Sequence, residues 1–335
     1  MEEIDFVITW VNSADEEWQK NRKKYRETEG TDAGSQRYRD WGLLKYWFRS
    51  VERYAPWVRK IHFIVAGELP EWLNTAHPGL HIVRHEDYIP AEYLPTFNSN
   101  VLELYLSRIE DLSEHFVYFN DDMFLLKKTS PETFFQKGKP CDMLAFQPVV
   151  ANPANPVMSH TLLNNILVLS KYFDKRKEVA AHPGRYFHPG YPLLYFFYNL
   201  LELFFPLYTG LYTVHNPFPF CKATFEELWE KEEELFLRVS ENRYRGENDV
   251  TPYLFREWQK LSGNFIPRNV KKGFRYFDVR DEEKKIIKSI RNRKVQIICI
   301  NDSCVAEWQS RKVQLQKAFQ EILPEACSYE VTTGR

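Results

Sequence analysis

His115-Phe116-Val117-Tyr118-Phe119-Asn120-Asp121-Asp122 (HFVYFNDD, residues 115–122) is a short apolar and aromatic run that stops on an amide and two carboxylates. A run of this length, bounded by turn-forming residues, reads as a buried strand. Two adjacent carboxylates at its mouth repel each other. A divalent cation removes that cost and leaves a Lewis acid for a phosphate, which suits magnesium or manganese. The plainer alternative is a solvated turn that merely ends the strand.

Similar strands precede it. Residues 4–10 (IDFVITW), 60–66 (KIHFIVA, closed by Gly67) and 81–84 read as three more. Between them, residues 37–54 carry Leu43, Leu44, Trp47, Phe48 and Val51 at helical spacing, and Ala55-Pro56 ends that helix. Residues 99–112 read as a helix with Ser99 as N-cap and Glu103 in its early turns. Strands alternating with helices predict an α/β fold with a mostly parallel sheet. Ligands of such sheets bind at the carboxyl ends of the strands, where Asn12-Ser13 and Asn120-Asp121-Asp122 both fall.

Beyond residue 150 the pattern changes. Residues 151–156 form a loop, 160–174 a helix, and 181–192 are rich in His, Gly and Pro. Residues 193–212 are strongly apolar and about the length of a membrane span, but Asn199, Glu202 and Pro206 interrupt them. They read as a buried or interfacial helix. Residues 222–240 form an acidic amphipathic helix, and 251–262 are another helical run. Residues 281–294 are charged and exposed, 295–300 (VQIICI) are a last strand ending in Asn301-Asp302, and 305–322 a closing helix. The expected organisation is a first part of the α/β core at 1–150, a mainly helical insertion at 151–290, and a return to the core at 291–335.

Composition removes several classes. The formal net charge of −1 gives no basic field to hold a nucleic acid. The aromatic fraction of 16 % suits either a core or stacking sites for sugars. Cys141, Cys221, Cys299, Cys304 and Cys327 form no CxxC pair, which predicts free thiols in a reducing compartment. The acidic start Met1-Glu2-Glu3 has no basic segment before an apolar one, so no secretory signal is expected. No P-loop, GxGxxG, HExxH or GxSxG is present, which counts against NTPases, dinucleotide oxidoreductases, zincins and α/β-hydrolases.

Other polar clusters remain open between chemistry and structure. Asn301-Asp302 is a turn signal or part of a shared metal or sugar site. Arg37-Tyr38-Arg39-Asp40 with Arg49 suits a phosphate at a helix N-terminus, or is a surface salt-bridge cluster. His215, in Val214-His215-Asn216-Pro217, is fixed in a loop and can serve as a general base. Arg243, Arg245 and Asp249 mark a polar turn in which Arg245 can meet a phosphoryl group, or a solvated loop.

Taken in order, these segments resemble the Stealth family, which includes bacterial capsular-polysaccharide sugar-1-phosphate transferases and the α/β precursor of the lysosomal-enzyme N-acetylglucosamine-1-phosphotransferase. The matching blocks are residues 4–12; then Arg37 to Asp40, residues 49–57, Leu94-Pro95-Thr96-Phe97-Asn98-Ser99 and residues 118–122; then His215-Asn216-Pro217 with Arg243-Tyr244-Arg245 and Asp249; and last Cys299-Ile300-Asn301-Asp302 with Leu323-Pro324 and Ser328-Tyr329-Glu330. The resemblance implies a GT-A-like α/β core, a mostly parallel sheet flanked by helices, with a helical insertion. It implies transfer of a sugar-1-phosphate, such as an N-acetylhexosamine-1-phosphate, from a UDP-sugar to a hydroxyl of an acceptor glycan. UMP leaves and a phosphodiester forms, as in capsular or cell-surface polysaccharide synthesis.

By the family pattern, Asp122 with Asp121 or Asp302 holds Mg2+ or Mn2+. His215 is base or nucleophile, Arg245 stabilises the phosphoryl group, and Asp249 and Asp122 complete the expected catalytic set. Trp10, Asn12, Arg39, Asp40, Arg49, Asn98, Asn120 and Asn301 are the expected substrate-binding residues. The eukaryotic relatives carry long inserted modules, signals and anchors that are not read here. The expectation is therefore the compact bacterial form, cytoplasmic, acting on a lipid-linked glycan as a peripheral protein at the inner membrane face. Two rivals stand: a GT-A glycosyltransferase that breaks the C–O bond and releases UDP, and a non-catalytic carbohydrate-binding protein.

Overall fold

The computed structural model describes residues 2–29, 38–303 and 305–331. Its first strand, β1 (Ile4–Val11), is buried over its first five positions. It is followed by α1 (Glu16–Glu29), α2 (Leu44–Tyr54), β2 (Ile61–Ala66), β3 (Leu80–Val83), α3 (Ser99–Leu104), β4 (His115–Phe119) and β5 (Met123–Leu125). β1 lies between β2 and β4 and is parallel to both, and β3 continues the parallel set beyond β2. The near-continuous apolar runs of these strands suit a sheet covered on both faces. Phe119, the last residue before Asn120, packs its ring at 4.7 Å from Phe6 and 5.5 Å from Trp47 of α2. Burying an aromatic of this size contributes about 1.5–3 kcal/mol, so the end of β4 is fixed by the core beneath it.

Two expected helices are shorter than their periodicity. α2 begins at Leu44 because Gly42 takes φ +63°, a left-handed turn that breaks the helix before Leu43. Arg37 lies outside the described residues, as does Cys304. α3 stops at Leu104, where the chain tightens into a 3-10 turn at Leu106–Arg108. Its N-cap is Asn98, whose Oδ1 accepts from the Asn100 N–H at 3.0 Å, one residue before the expected Ser99.

β6 (Phe135–Gln136) and β7 (Lys139–Asp142) precede the helical half, which runs α4 (Pro156–Tyr172), α5 (Lys175–Ala181), α6 (Pro183–Tyr186) and α7 (Leu193–Glu202). The chain then returns to sheet. β8 (Phe218–Cys221) adds antiparallel to β4 and completes a five-stranded order β3-β2-β1-β4-β8. After α8 (Lys222–Ser240) and α9 (Tyr253–Leu261), β9 (Ile266–Pro267) joins β7. β10 (Phe274–Asp278), α10 (Glu283–Arg291), β11 (Ile297–Asn301) and α11 (Trp308–Ile322) close the chain. β11 sits in a second sheet of order β10-β11-β5, parallel to β10 and antiparallel to β5. The expected α/β architecture, a mostly parallel sheet flanked by helices, is thus present. The turn Asn120-Asp121-Asp122 carries the chain from one sheet to the other. Among the described residues no helix is long and apolar enough to cross a membrane.

Candidate active site and metal centre

Register places the acidic turn. The Ile300 N–H donates to the Asp122 carbonyl at 2.9 Å, which ties the turn after β4 to the end of β11. Cys299 then donates its thiol to Asp122 Oδ2 at 3.2 Å, and His215 Nε2 lies 3.4 Å from the same oxygen. The ligand atoms of Asp122, His215 and Cys299 all lie within 4.8 Å of one another. Burial and the charge of Asp122 hold the Cys299 pKa well above its usual range, so it stays a donor.

The other oxygen, Asp122 Oδ1, is buried without a hydrogen-bond partner, and so is Asp302 Oδ2 at the end of β11. Asp302 Oδ1 accepts from Arg39 NH1 at 3.3 Å. A buried acceptor left unpaired costs about 1–3 kcal/mol, and more when charged. Desolvation in the cleft, then repulsion from Asp122, Asp40 and Asp302, pushes the Asp121 carboxyl up to about 8. Asp121 is exposed at the mouth of the site, where three neighbouring carboxylates crowd it. Burial also raises Asp302. Orphaned carboxylate oxygens in a crowd of like charge fit a divalent cation, and oxygen donors fit the hard cations magnesium and manganese. The imidazole and thiol beside them would also suit a borderline metal.

His215 is held from behind. Its Nδ1 is 3.0 Å from the Tyr253 hydroxyl, and its Nε2 is 3.5 Å from Asn120 Nδ2. Burial raises the Tyr253 phenol, so it stays protonated and can donate to or accept from the ring. The loop around His215 is clamped by the buried Arg256. That guanidinium donates to the Val214 carbonyl at 2.7 Å and Asn216 Oδ1 at 2.9 Å, and pairs with Asp142 through NH2 to Oδ1 at 2.9 Å.

A second group lies one step away. Arg245 Nε donates to Ser99 Oγ at 3.1 Å. Glu103, from the apolar stretch of α3, is 4 % exposed. Burial lifts its carboxyl to about 7, against the pull of Arg245, the Tyr118 hydroxyl and His215. Tyr118 donates to Glu103 Oε1 at 2.9 Å and lies 3.0 Å from Thr9 Oγ1. Asp249 is fully buried and accepts from Asn98, Asn100 and Asn242 side chains and from the Gly246 N–H, at 2.7–3.0 Å. It fastens the turn carrying Arg245 to the start of α3.

The structure therefore gathers Asn120, Asp121, Asp122, Asp302 and His215, with Asp40 close enough to act on Asp121. Arg39 borders them with its guanidinium over Trp308 at 4.8 Å. The Asn301 amide turns to the Asp302 carbonyl at 3.1 Å, and Asp40 Oδ1 accepts from the Gly42 N–H at 2.7 Å. At the end of β1, Asn12 donates to the Glu68 carbonyl at 3.2 Å, and half-buried Trp10 packs on Phe63 at 6.0 Å. Three expected site residues are held elsewhere in packing. Asn98 and Asp249 bond each other, and Arg49 is turned toward the C-terminal segment, where it pairs with Glu330 at 2.6 Å and donates to the Leu323 carbonyl at 2.9 Å. Sequence reasoning missed Cys299 as a neighbour of Asp122, and also Glu103, Tyr253 and Arg256. Only the first two left a signal: Cys299 shares a strand face with Asn301, and Glu103 interrupts an apolar run.

Residues 2–30 match Stealth protein CR1, conserved region 1, and residues 37–142 match Stealth protein CR2, conserved region 2. The capsular polysaccharide phosphotransferase WcwK of Streptococcus pneumoniae is 40 % identical over 334 residues, 98 % of each chain. The exopolysaccharide phosphotransferase cps2G of Lactiplantibacillus plantarum is 36 % identical over 335 residues, 98 % of this chain and 96 % of its own. The crystal structure of the galactosyltransferase LgtC with donor and acceptor sugar analogs is similar over 97 % of this chain and 96 % of its own, at 10 % identity and a TM-score of 0.37. On the identity and near-complete coverage of those phosphotransferases, the chain belongs to the Stealth family.

Proposed function

We propose that this chain transfers a sugar-1-phosphate from a UDP-sugar to a hydroxyl of an acceptor glycan in polysaccharide synthesis. The acceptor is a lipid-linked chain, met by a peripheral protein at the inner membrane face. The observation that carries the chemistry is the unpartnered buried oxygen Asp122 Oδ1, on the carboxylate that faces the His215 imidazole, with Asp302 close enough to act on Asp121. The names of the relatives support phosphotransfer over glycosidic transfer.

Asp122 and Asp302, with Asp121, would hold a magnesium or manganese ion, which when bound supplies Lewis-acid stabilisation of the pyrophosphate charge. Arg245 adds a fixed positive charge for the transferred phosphoryl group. The acceptor oxygen forms a bond to the sugar-bearing phosphorus, and the bond from that phosphorus to the UMP oxygen breaks, with its electron pair leaving on UMP. His215 Nε2 receives the hydroxyl proton, while its Nδ1–H donates to the Tyr253 hydroxyl and holds the ring in the tautomer that leaves Nε2 free to accept. A phospho-histidine route uses the same nitrogen as nucleophile. Asp249 and Asn98 position Arg245.

A screen of UDP-sugars with magnesium or manganese tests the reading. UMP with a phosphodiester product is expected. UDP with a glycoside would make the chain a glycosyltransferase, and no thermal shift with any donor and metal would leave a carbohydrate-binding protein.

A further inference from the structure

α7 is inside out. Its polar side chains, Tyr195, Asn199 and Glu202, are the buried ones. Asn199 donates to the Tyr186 carbonyl at 2.6 Å and accepts from the Phe146 N–H at 2.7 Å. Glu202 accepts from Lys175 Nζ at 3.1 Å and from Thr209 Oγ1 at 2.7 Å. The outward face is apolar: Leu193, Phe197 and Leu201 on the helix, then Phe204, Phe205 and Leu207 in the loop beyond it. Phe204 is 82 % exposed and Leu207 75 %. A water-facing helix has the reverse pattern, and a contiguous apolar surface of this kind marks a place of interaction.

The flank of the patch is cationic. Lys175 Nζ also donates to the Glu202 and Leu207 carbonyls, at 2.8 and 3.1 Å, and so fastens the apolar loop against α5. The next two residues, Arg176 and Lys177, are exposed, and among the described residues no ion pair engages them. Exposed leucines and phenylalanines beside unpaired basic groups match a bilayer surface with anionic headgroups. They match a second copy less well, because that would bring Arg176 and Lys177 near themselves. Ten residues of helix reach about 15 Å, half of a hydrocarbon core, so the element lies in the interface and does not span it.

We infer that α7 and the loop 203–207 insert at the surface of an anionic lipid bilayer, with Arg176 and Lys177 on the headgroups. This deepens the proposed function by naming the surface that would bring the site to a lipid-linked acceptor, but it needs no catalysis to be tested.

The full chain is mixed with vesicles of phosphatidylglycerol and phosphatidylcholine, or of phosphatidylcholine alone, and sedimented. It should pellet with the anionic vesicles. Leu201→Ser/Phe204→Ser/Leu207→Ser should lower the partition at least about tenfold, and Arg176→Glu/Lys177→Glu should remove the preference for phosphatidylglycerol, at about fivefold per charge lost. These side chains are exposed, and unchanged thermal unfolding shows that the variants fold. UMP release with a soluble acceptor should be unchanged in both. Wild-type protein left in the supernatant, variants that bind as well as wild type, or a wild-type dimer lost in the apolar variant would each overturn the inference. Vesicle binding without UMP release would overturn the transferase reading and leave this one standing.

Discussion

His215 and Asp122 face one another at the end of the main sheet, with the imidazole Nε2 3.4 Å from the carboxylate Oδ2. On the other side of the ring, Nδ1 meets the Tyr253 hydroxyl at 3.0 Å. A ring held this way can take a proton on the side of the acidic turn without turning. His215→Ala should lower kcat by about 10²–10⁴ with donor KM little changed. Tyr253→Phe should lower kcat by about tenfold and alter the pH profile of kcat, because the ring loses its orienting partner. A large rise in donor KM for His215→Ala would instead make the imidazole a binding group.

Asp122 has a different task. One oxygen meets Cys299 and His215, and the other is buried with no partner. Asp122→Ala should lose turnover by on the order of 10²–10³ or more, and it should lose manganese binding measured by calorimetry or electron paramagnetic resonance. Thermal unfolding should be nearly unchanged or raised, since the substitution relieves the repulsion that lifts Asp121. Chelation should stop the wild-type reaction and added metal should restore it. Full turnover in excess EDTA would sink the metal assignment.

Glu103 gives a pH test that needs no substrate. Its folded-state pKa of about 7 lies above the ordinary value of 4.5. Below 4.5 the carboxyl is protonated whether the chain is folded or not, and it contributes nothing. Between 4.5 and 7 the unfolded chain ionises first, so the folded state loses stability as pH rises, and above 7 the loss is complete. Glu103→Gln keeps an acceptor for Tyr118 and removes the charge. Its stability relative to wild type should rise from pH 5 to pH 8, by on the order of 3 kcal/mol at most. A difference that is flat with pH would show that Glu103 ionises normally in the fold.

The acidic turn was legible because strand periodicity and strand-end position are local properties. Residues 115–119 could be read as a strand, and the residues just past such a strand lie at its carboxyl end. Its second wall was legible only in part: Asn301-Asp302 could be read as closing a strand, which left it open between a turn and a shared site. Nothing in the order of the chain says that β11 pairs with β5 and so brings Cys299 and Asp302 to Asp122. Tyr253 and Arg256 were invisible for the same reason, since each acts from α9 on a loop some forty residues earlier. The helix ends went wrong where one residue overruled the periodicity, as Gly42 does before α2. For residues 193–212, length and interruptions argued against a span, but not which side of α7 faces water.

Arg49 shows the converse: expected among the substrate-binding residues, it takes the salt-bridge role that the pattern around it had also left open. A guanidinium on a helix beside a cluster of charges suits phosphate, but helical spacing alone could not say what lies opposite. The structure puts Glu330 there, bonded through Nε at 2.6 Å and NH2 at 2.8 Å, with the Leu323 carbonyl at 2.9 Å on NH1. Both side chains are 9 % exposed, so removal of one partner strands the other. Arg49→Ala should cost about 3–5 kcal/mol, a drop in Tm of about 4–7 °C for a chain of this size. The KM for the UDP-sugar, measured well below the new Tm, should stay within about twofold. Arg49→Met/Glu330→Met should recover part of the loss, because it removes both charges together. Unchanged Tm with a raised KM would return Arg49 to the substrate site.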